Sequence, residues 1–186
     1  LTHVDLGGGL GISYNDEPLT KRGDYVRSLI DVFKGTNLKL IFEPGRSIIG
    51  DAGILVSKVI EKKNNPNGKN FIILDAGMND LIRPPLYGAY HKIYSVKENA
   101  TTSALFDVVG PVCETADFFG KDRHITTDIG ELVVIQDAGA YGFVLSSNYN
   151  SRPRIAEYLI SNNRVVCIRG RETFSDILGD EEKYLE

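Results

Sequence analysis

The chain has 186 residues, of which 42% are hydrophobic and 25% are charged, an ordinary composition for a globular protein. Its formal net charge of −4 at pH 7 gives no support to a nucleic-acid partner or an anionic membrane, and no apolar run is long enough to span a bilayer. The two cysteines, Cys113 and Cys167, form neither a disulfide framework nor a metal site, so a reducing cytoplasm is the expected compartment.

The first fifty residues predict a strand, a helix and a second strand. The chain opens on Leu1 and residues 3–6 already form a predicted strand, so we expect a segment upstream of it. Residues 38–42 are mostly apolar, as is typical of a strand buried on both faces. Between the strands, apolar residues recur at the spacing of one helix face: Val26, Leu29, Ile30 and Phe33. Strand–helix–strand implies a parallel pair, which needs neighbours on both sides, so this part is a slice of a larger α/β sheet or barrel.

After about Gly50 the pattern changes to mainly antiparallel β structure. Turn residues separate the predicted strands. Strands are predicted at residues 54–60, 71–74, 105–109, 132–136, 154–160 and 165–168. The turn cluster at residues 64–68 predicts that the first two form a hairpin. Thr173 and Asp176 have the spacing of a capping box, which predicts a short final helix. This region therefore predicts a small barrel or a sandwich.

Two turns at predicted strand ends suit a phosphate. Gly7 to Gly9 let the backbone come close to a ligand and aim N–H groups at it, although a flexible turn is the alternative. Glu43, Pro44, Gly45 and Arg46 directly follow the second strand, where ligand sites lie in α/β folds. A surface loop with an accidental charge pair is the alternative there. Two such turns on consecutive strands support a phosphate site better than either alone.

Three further segments carry side chains with more than one interpretation. Arg83 can hold a carboxylate in its planar fork, but from the residues alone an ordinary surface arginine is preferred. Cys113 could donate a proton and Glu114 could bind an ammonium group, but alone a small buried cysteine and a solvated charge are preferred. Tyr141 lies in a glycine-flanked bend that could aim its phenol at a ligand, with a core tyrosine as the alternative. The three histidines are too scattered for zinc, so no metal site is predicted.

Taken together and in this order, the motifs resemble the C-terminal part of diaminopimelate decarboxylases, relatives of the ornithine and arginine decarboxylases. The stretches that carry the resemblance are HVDLGGGLGISY, IFEPGRSII, LDAGMNDLIRPPLYGAYH, VVGPVCETADFFGKDR, QDAGAYGFVLSSNYNSRPR and RGRETFSDIL. The resemblance runs from Leu1 to about Leu178. It implies that residues 1–51 are the incomplete end of a cofactor-binding TIM-like (β/α)8 barrel. It also implies that residues 52–186 are a mainly antiparallel β-barrel or sandwich domain with a short closing helix.

The resemblance implies pyridoxal 5'-phosphate as the cofactor. The glycine turn would bind the phosphate with support from the second turn, and Tyr141 would contact the phosphate or the substrate. Glu43 would pair with the pyridine nitrogen, so that the ring withdraws electrons from the reacting carbon. The implied cofactor-binding residues are Gly8, Gly9, Glu43, Pro44, Gly45, Arg46 and Tyr141.

The resemblance also implies a reaction, the conversion of meso-2,6-diaminopimelate to L-lysine and CO2 in lysine biosynthesis. The implied substrate-binding residues are Arg46, Arg83, Tyr87, Glu114 and Tyr141, and Cys113 is the implied proton donor. In this family the site lies between two subunits of a homodimer, so Cys113 and Glu114 would act on the partner's cofactor. Neither a nucleic acid nor a membrane is an expected partner.

The family's Schiff-base lysine, and the upstream histidine that stacks on the cofactor ring, have no counterpart in this chain. The lysine that holds the cofactor as a Schiff base lies upstream of the glycine turn in the family, and no lysine here has a matching strand context. The chain alone is therefore expected to be inactive. Two alternatives stay open: a decarboxylase of another basic amino acid, and a non-catalytic β module for binding or dimerisation. Relatives that act on ornithine or arginine usually carry aspartate after the cysteine. Glu114 together with Arg83 favours a substrate with an amine and a carboxylate at its far end.

Overall fold

The structure, a computed structural model, describes residues 1–97 and 104–184. It begins with β1 (His3–Asp5), α1 (Arg22–Val32) and β2 (Lys39–Ile41). The two strands are parallel, with His3 opposite Lys39 and Asp5 opposite Ile41. The chain turns after the helix at Gly35, whose φ of 86° is in the left-handed region that glycine adopts readily. The predicted parallel strand–helix–strand segment is therefore confirmed.

The burial predicted for the second strand is wrong within the described chain. Ile41 on β2 is 43% exposed, and Ile30 and Val32 on α1 are exposed as well. The physical reason is that β1 and β2 form a sheet of two strands, which has no neighbouring strand on either side among the described residues. That this segment is a slice of a larger sheet or barrel stays a prediction.

The rest of the described chain contains eight strands, three short α-helices and four 3-10 helices of three residues each. The strands are β3 (Leu55–Lys63), β4 (Phe71–Leu74), β5 (Ile93–Ser95), β6 (Ala104–Val109), β7 (Phe118–Ile125), β8 (Leu132–Ile135), β9 (Glu157–Ser161) and β10 (Arg164–Arg169). The α-helices are α2 (Arg46–Ile49), α3 (Arg83–Tyr87) and α4 (Phe174–Leu178). Six of the strands form one sheet in the order β5-β8-β3-β4-β6-β7.

This six-stranded sheet is a nearly closed barrel. The hairpin of β3 and β4 is antiparallel as predicted, with Val59 opposite Leu74. The pair β4 and β6 is parallel, and the other neighbours in the sheet are antiparallel. The edge strands β5 and β7 approach each other without forming a ladder, so the sheet curves almost onto itself. The predicted small barrel is confirmed, and its sheet is mixed because of the one parallel pair.

The core of the barrel is built by alternation along its strands. On β3, Leu55, Ser57 and Val59 are buried while the residues between them are exposed, which is the period of two expected of a half-buried strand. The apolar side chains that fill the interior include Val59, Ile72, Leu74, Val108, Phe119, Val133 and Ile135.

Two strands, β5 and β7, and two short helices, α2 and α3, were not predicted. β7 lacks clean alternation because it contains Gly120 and because Asp122 adopts a left-handed φ of 51°, which bends the strand. β5 has three residues, too few to show a period. α3 contains Pro84 and Pro85, which suggested a loop, but both lie in its first turn, where backbone N–H groups need no intrahelical partner.

The last part of the chain is a hairpin and a capped helix. β9 and β10 pair antiparallel, and Asn162 and Asn163 form the turn with left-handed φ values of 49° and 59°. The predicted capping box is confirmed: Thr173 accepts a hydrogen bond from the Asp176 N–H, and the Asp176 carboxylate accepts one from the Thr173 N–H. No helix among residues 1–97 and 104–184 is long and apolar enough to cross a membrane.

Candidate active site

The turns after β1 and β2 lie side by side. The Glu43 N–H donates to the Gly7 carbonyl oxygen at 2.9 Å, which continues the pairing of the two strands into their turns. A side chain on Gly8 would place its Cβ 2.5 Å from the Glu43 carbonyl oxygen, so only glycine fits there. Gly9 has a left-handed φ of 92°. The N–H groups of Gly8 and Gly9 have no acceptor within the described chain, so they can be offered to an anion.

The second turn meets a tyrosine from the far end of the chain. A Cβ on Gly45 would lie 3.9 Å from the Tyr141 hydroxyl, which shows how closely the phenol approaches this backbone. The Arg46 guanidinium carbon lies 5.5 Å from the centroid of the Tyr141 ring, a cation–π distance. Gly45, Arg46 and Tyr141, all predicted as cofactor-binding residues, are therefore brought together by the fold.

The bend that carries Tyr141 is docked against the turn that follows α2. The Ala138 N–H donates to the Gly53 carbonyl at 2.8 Å, and the Gly139 N–H donates to the Gly50 carbonyl at 3.1 Å. A Cβ on Gly139 would lie 2.0 Å from the Ile49 carbonyl oxygen, so the contact requires glycine. Tyr141 itself has a left-handed φ of 59°. These contacts fix the phenol relative to Arg46.

Together the two turns and Tyr141 form a donor set that suits a phosphate. Backbone N–H groups, one guanidinium and one phenol hydroxyl are the groups that bind phosphate oxygens in proteins. Glu43 lies between the glycine turn and Arg46 and is exposed, so its carboxylate is available to a ligand at the same place. The residues present therefore fit a phosphorylated ligand that also carries a positively charged or N–H group.

Arg83 lies in a second cluster. The interpretation preferred from the residues alone, an ordinary surface arginine, is wrong. It is 4% exposed rather than a surface residue. Its Nη1 lies 3.0 Å from Nε2 of His91, and its guanidinium carbon lies 4.8 Å from the centroid of the Tyr14 ring. Tyr14, from near the start of the chain, and His91, eight residues after Arg83, both lie against this guanidinium. Tyr87, at the other end of α3, is 67% exposed.

Burial lowers the pKa of His91. Burial of this imidazole, together with the charges of Arg83 and Arg123, lowers its pKa to about 4, against the opposing effect of its hydrogen bond to the Gln136 carbonyl. His91 is completely buried. The imidazole is therefore neutral at physiological pH.

Cys113 and Glu114 lie in a third cluster, in the loop between β6 and β7. Cys113 is exposed, so the preferred interpretation of a small buried cysteine is wrong. The Tyr149 hydroxyl donates to a Glu114 carboxylate oxygen at 3.2 Å, and this hydrogen bond raises the pKa of Tyr149 above its usual range. The loop therefore presents a thiol and a carboxylate, and the phenol of Tyr149, from beyond the sheet's last strand β8, is bonded to that carboxylate.

A buried carboxylate holds this loop. Asp117 accepts hydrogen bonds from the N–H groups of Val112 and Met78, both at 2.6 Å, and its burial raises its pKa. Met78 belongs to the segment that leads into α3. Asp117 therefore ties the Cys113 loop to the segment that positions Arg83.

Arg152 also binds the segment that leads into α3. Its Nε donates to the Asn79 side-chain oxygen at 2.9 Å, and its Nη2 lies 3.9 Å from Asp80 and donates to the Asp75 carbonyl. Sequence reasoning assigned no role to Arg152, Asp117, Tyr14, His91 or Tyr149. All five lie within the quoted motifs, and only the fold shows which partner each one contacts.

The structure thus places the predicted residues in three clusters. The first holds the glycine turn, the second turn and Tyr141, the second holds Arg83, and the third holds Cys113 with Glu114. No hydrogen bond or ion pair between described residues joins the third cluster to the first. No group of three or more potential metal ligands occurs in the part of the chain that the structure describes.

The model of one protein family matches this chain. The family is described as "Pyridoxal-dependent decarboxylase, C-terminal sheet domain", and the match covers residues 14–139. The nearly closed sheet barrel agrees with that description. The chain belongs to the family of pyridoxal-dependent decarboxylases.

Several individual proteins and solved structures are also similar to this chain. The chain is 46% identical to a diaminopimelate decarboxylase of Vibrio cholerae, over 95% of this chain and 42% of the relative. A crystal structure from Aquifex aeolicus superimposes with a TM-score of 0.93 at 45% identity, over 97% of this chain and 45% of that one. The structure of Helicobacter pylori diaminopimelate decarboxylase complexed with L-lysine gives a TM-score of 0.92 at 40% identity, over 99% and 45% of the two chains. The chain therefore spans less than half the length of these relatives.

Proposed function

We propose that the chain is the C-terminal part of a pyridoxal-phosphate-dependent decarboxylase that converts meso-2,6-diaminopimelate to L-lysine and CO2. The observation that carries this proposal is the match, over nearly the whole chain, to proteins named for that reaction. It is supported by the contact of Arg46 and Gly45 with Tyr141, which builds a phosphate-type donor set. Lysine biosynthesis in the cytoplasm is the corresponding physiological role.

Residues 1–51 would be the end of a TIM-like barrel whose other strands lie upstream in the full-length protein. The parallel pair β1 and β2, the intervening helix α1 and the exposed Ile41 support this proposal. Residues 52–186 would be the C-terminal β domain. The position of this boundary stays a prediction. The lysine that binds the cofactor covalently would also lie upstream, so the 186-residue chain alone would not decarboxylate the substrate.

The first cluster would hold pyridoxal phosphate. The N–H groups of Gly8 and Gly9 would bind the phosphate together with Gly45, Arg46 and Tyr141. Pro44 restricts the backbone of the second turn, and the Glu43 carboxylate would pair with the ring nitrogen. When bound, the cofactor withdraws electrons from the carbon that loses CO2. The chain's own contribution is to orient the cofactor and to hold the negative charge of Glu43 beside its ring.

Arg83 would bind the carboxylate at the far end of the substrate. It is buried, yet it forms no ion pair with an acidic side chain in the described chain. A buried charge without a counter-ion is costly, and a substrate carboxylate would supply that counter-ion. His91 occupies only Nη1, so the other guanidinium N–H groups remain for a ligand among the contacts that the structure describes. Arg46, Tyr87 and Tyr141 would complete the substrate-binding set.

Glu114 would bind the far amine of the substrate, and the Cys113 thiol would give its proton to the carbon from which CO2 has left. The exposure of Cys113 and the fixed loop around it support this role. Because the loop is not bonded to the first cluster within one chain, we further propose a homodimer. In it, Cys113 and Glu114 would act on the cofactor of the partner.

Arg83→Ala in the full-length protein should lower kcat/KM for meso-diaminopimelate at least about tenfold. A charge-assisted hydrogen bond contributes about 1.5–3 kcal/mol, and the loss should appear mainly in KM. Steady-state kinetics with CO2 detection measures it. Arg27→Ala, which removes an exposed arginine on α1, is the matched control. Unchanged kcat/KM in the folded Arg83 variant would contradict the assignment.

A further inference from the structure

His91 makes two hydrogen bonds that fix a single tautomer. Its Nδ1 lies 2.8 Å from the Gln136 carbonyl oxygen, which can only accept, so Nδ1 carries the proton. Its Nε2 lies 3.0 Å from Nη1 of Arg83, which can only donate, so Nε2 must offer its lone pair. The imidazole is thus a neutral bridge from the end of β8 to the guanidinium of Arg83.

Tyr14 restrains the same guanidinium from its face. The Tyr14 ring lies 4.8 Å from the Arg83 guanidinium carbon and meets the His91 ring edge-on at 5.3 Å. A cation–π contact and one in-plane hydrogen bond together restrict both the tilt and the rotation of a planar group. Arg83 therefore lies in a box made by two aromatic side chains.

One wall of this box, Tyr14, and the hydrogen-bond partner of the other wall, Gln136, adjoin the segments that build the first cluster. Tyr14 lies five residues after Gly9 of the glycine turn. Gln136, the acceptor for His91, is followed directly by the bend that carries Tyr141. The box therefore sets the position of Arg83 relative to the groups that would hold the cofactor phosphate.

We propose that His91 is a positioning residue that aims the free N–H groups of Arg83 at the far carboxylate of the substrate and so selects for substrates that carry it. This inference rests on the proposed function. Without the acceptor at Nε2, the guanidinium would rotate within the box and the two-point contact with a carboxylate would be lost. His91 does not touch the reacting atoms.

Two substitutions test the two hydrogen bonds of His91 separately. His91→Asn can keep the donor to Gln136 but is too short to accept from Arg83. His91→Gln can place an acceptor near the former Nε2.

Two competitive inhibitors differ only in the far carboxylate: L-lysine carries it, and 1,5-diaminopentane does not. Inhibition constants for both, measured on the full-length holoenzyme, report on that carboxylate alone.

His91→Asn should weaken inhibition by L-lysine about tenfold and change inhibition by 1,5-diaminopentane less than about twofold. His91→Gln should restore most of the loss, and His91→Asn combined with Arg83→Ala should be no worse than Arg83→Ala alone. His124→Asn, an exposed histidine on β7, is the control that should change neither constant. Melting temperatures of each variant separate lost folding from lost positioning.

Two failures are distinguishable. If Arg83→Ala weakens L-lysine and His91→Asn does not, or if His91→Asn and His91→Gln weaken both inhibitors equally, the positioning role of His91 is wrong. If Arg83→Ala itself affects both inhibitors equally, Arg83 does not bind the carboxylate and the proposed substrate assignment is wrong.

Discussion

Cys113→Ala in the full-length protein should lower kcat by about 10²–10⁴-fold and leave the affinity for pyridoxal phosphate nearly unchanged. The proposed role of this thiol is to give a proton to the carbon that has lost CO2, so its removal acts on a chemical step. Its exposure means that the substitution leaves no cavity in the core and that stability should change little. Turnover per folded molecule and a cofactor titration measure the two effects separately.

Cys167 provides a matched control for this substitution. It is also an exposed free cysteine, it lies on β10, and it carries no proposed role. Cys167→Ala should keep wild-type kcat. The proton-donor assignment is wrong if Cys113→Ala retains normal turnover, or if its lower activity is matched by a lower cofactor affinity.

The free energy of unfolding should fall by about 3 kcal/mol between pH 6.5 and pH 4 because of His91 alone. In the unfolded chain this histidine takes up its proton near its ordinary pKa of 6.5, but in the folded protein burial delays protonation to about pH 4. Between those values the unfolded state binds more protons, so acidification favours unfolding. The contribution is constant above pH 6.5 and again below pH 4.

His91→Gln, which cannot titrate, isolates this effect. Urea unfolding of both proteins at pH 7, 5.5 and 4.5 gives the difference in pH dependence. The buried carboxyl groups of Asp80 and Asp117, whose pKa values burial raises, are present in both proteins and cancel. Parallel pH profiles for the two proteins would show that His91 is not held neutral by the fold.

The sequence predicted those elements that are specified by residues close together in the chain. The helix face around Ile30, the hairpin turn before β4 and the Thr173 cap depend on residues within one turn of each other, and the structure has all three. β7 was missed because its bend at Gly120 and Asp122 depends on tertiary contacts: the Asp122 N–H donates to Asp107 on the neighbouring strand. A pattern within one segment carries no record of that bond.

For the site, the sequence indicated which residue types matter but not their surroundings. Arg83 and Cys113 have the opposite burial from the preferred interpretation of the residues alone. The burial of Arg83 depends on Tyr14, distant in sequence, and the loop of Cys113 is completed by Tyr149 from beyond β8. Such contacts follow from the closure of the barrel, which no single motif specifies.

The most direct test of the central proposal is CO2 release by the purified full-length protein with pyridoxal phosphate. The substrates to compare are meso-diaminopimelate, L-lysine, L-ornithine and L-arginine. We expect L-lysine to form in equal amount to the CO2 released from meso-diaminopimelate. We also expect kcat/KM for that substrate to exceed the others at least roughly a hundredfold, because the other three lack the far carboxylate and leave the buried Arg83 unpaired. Faster release from ornithine or arginine, or no release from diaminopimelate, would contradict the proposal.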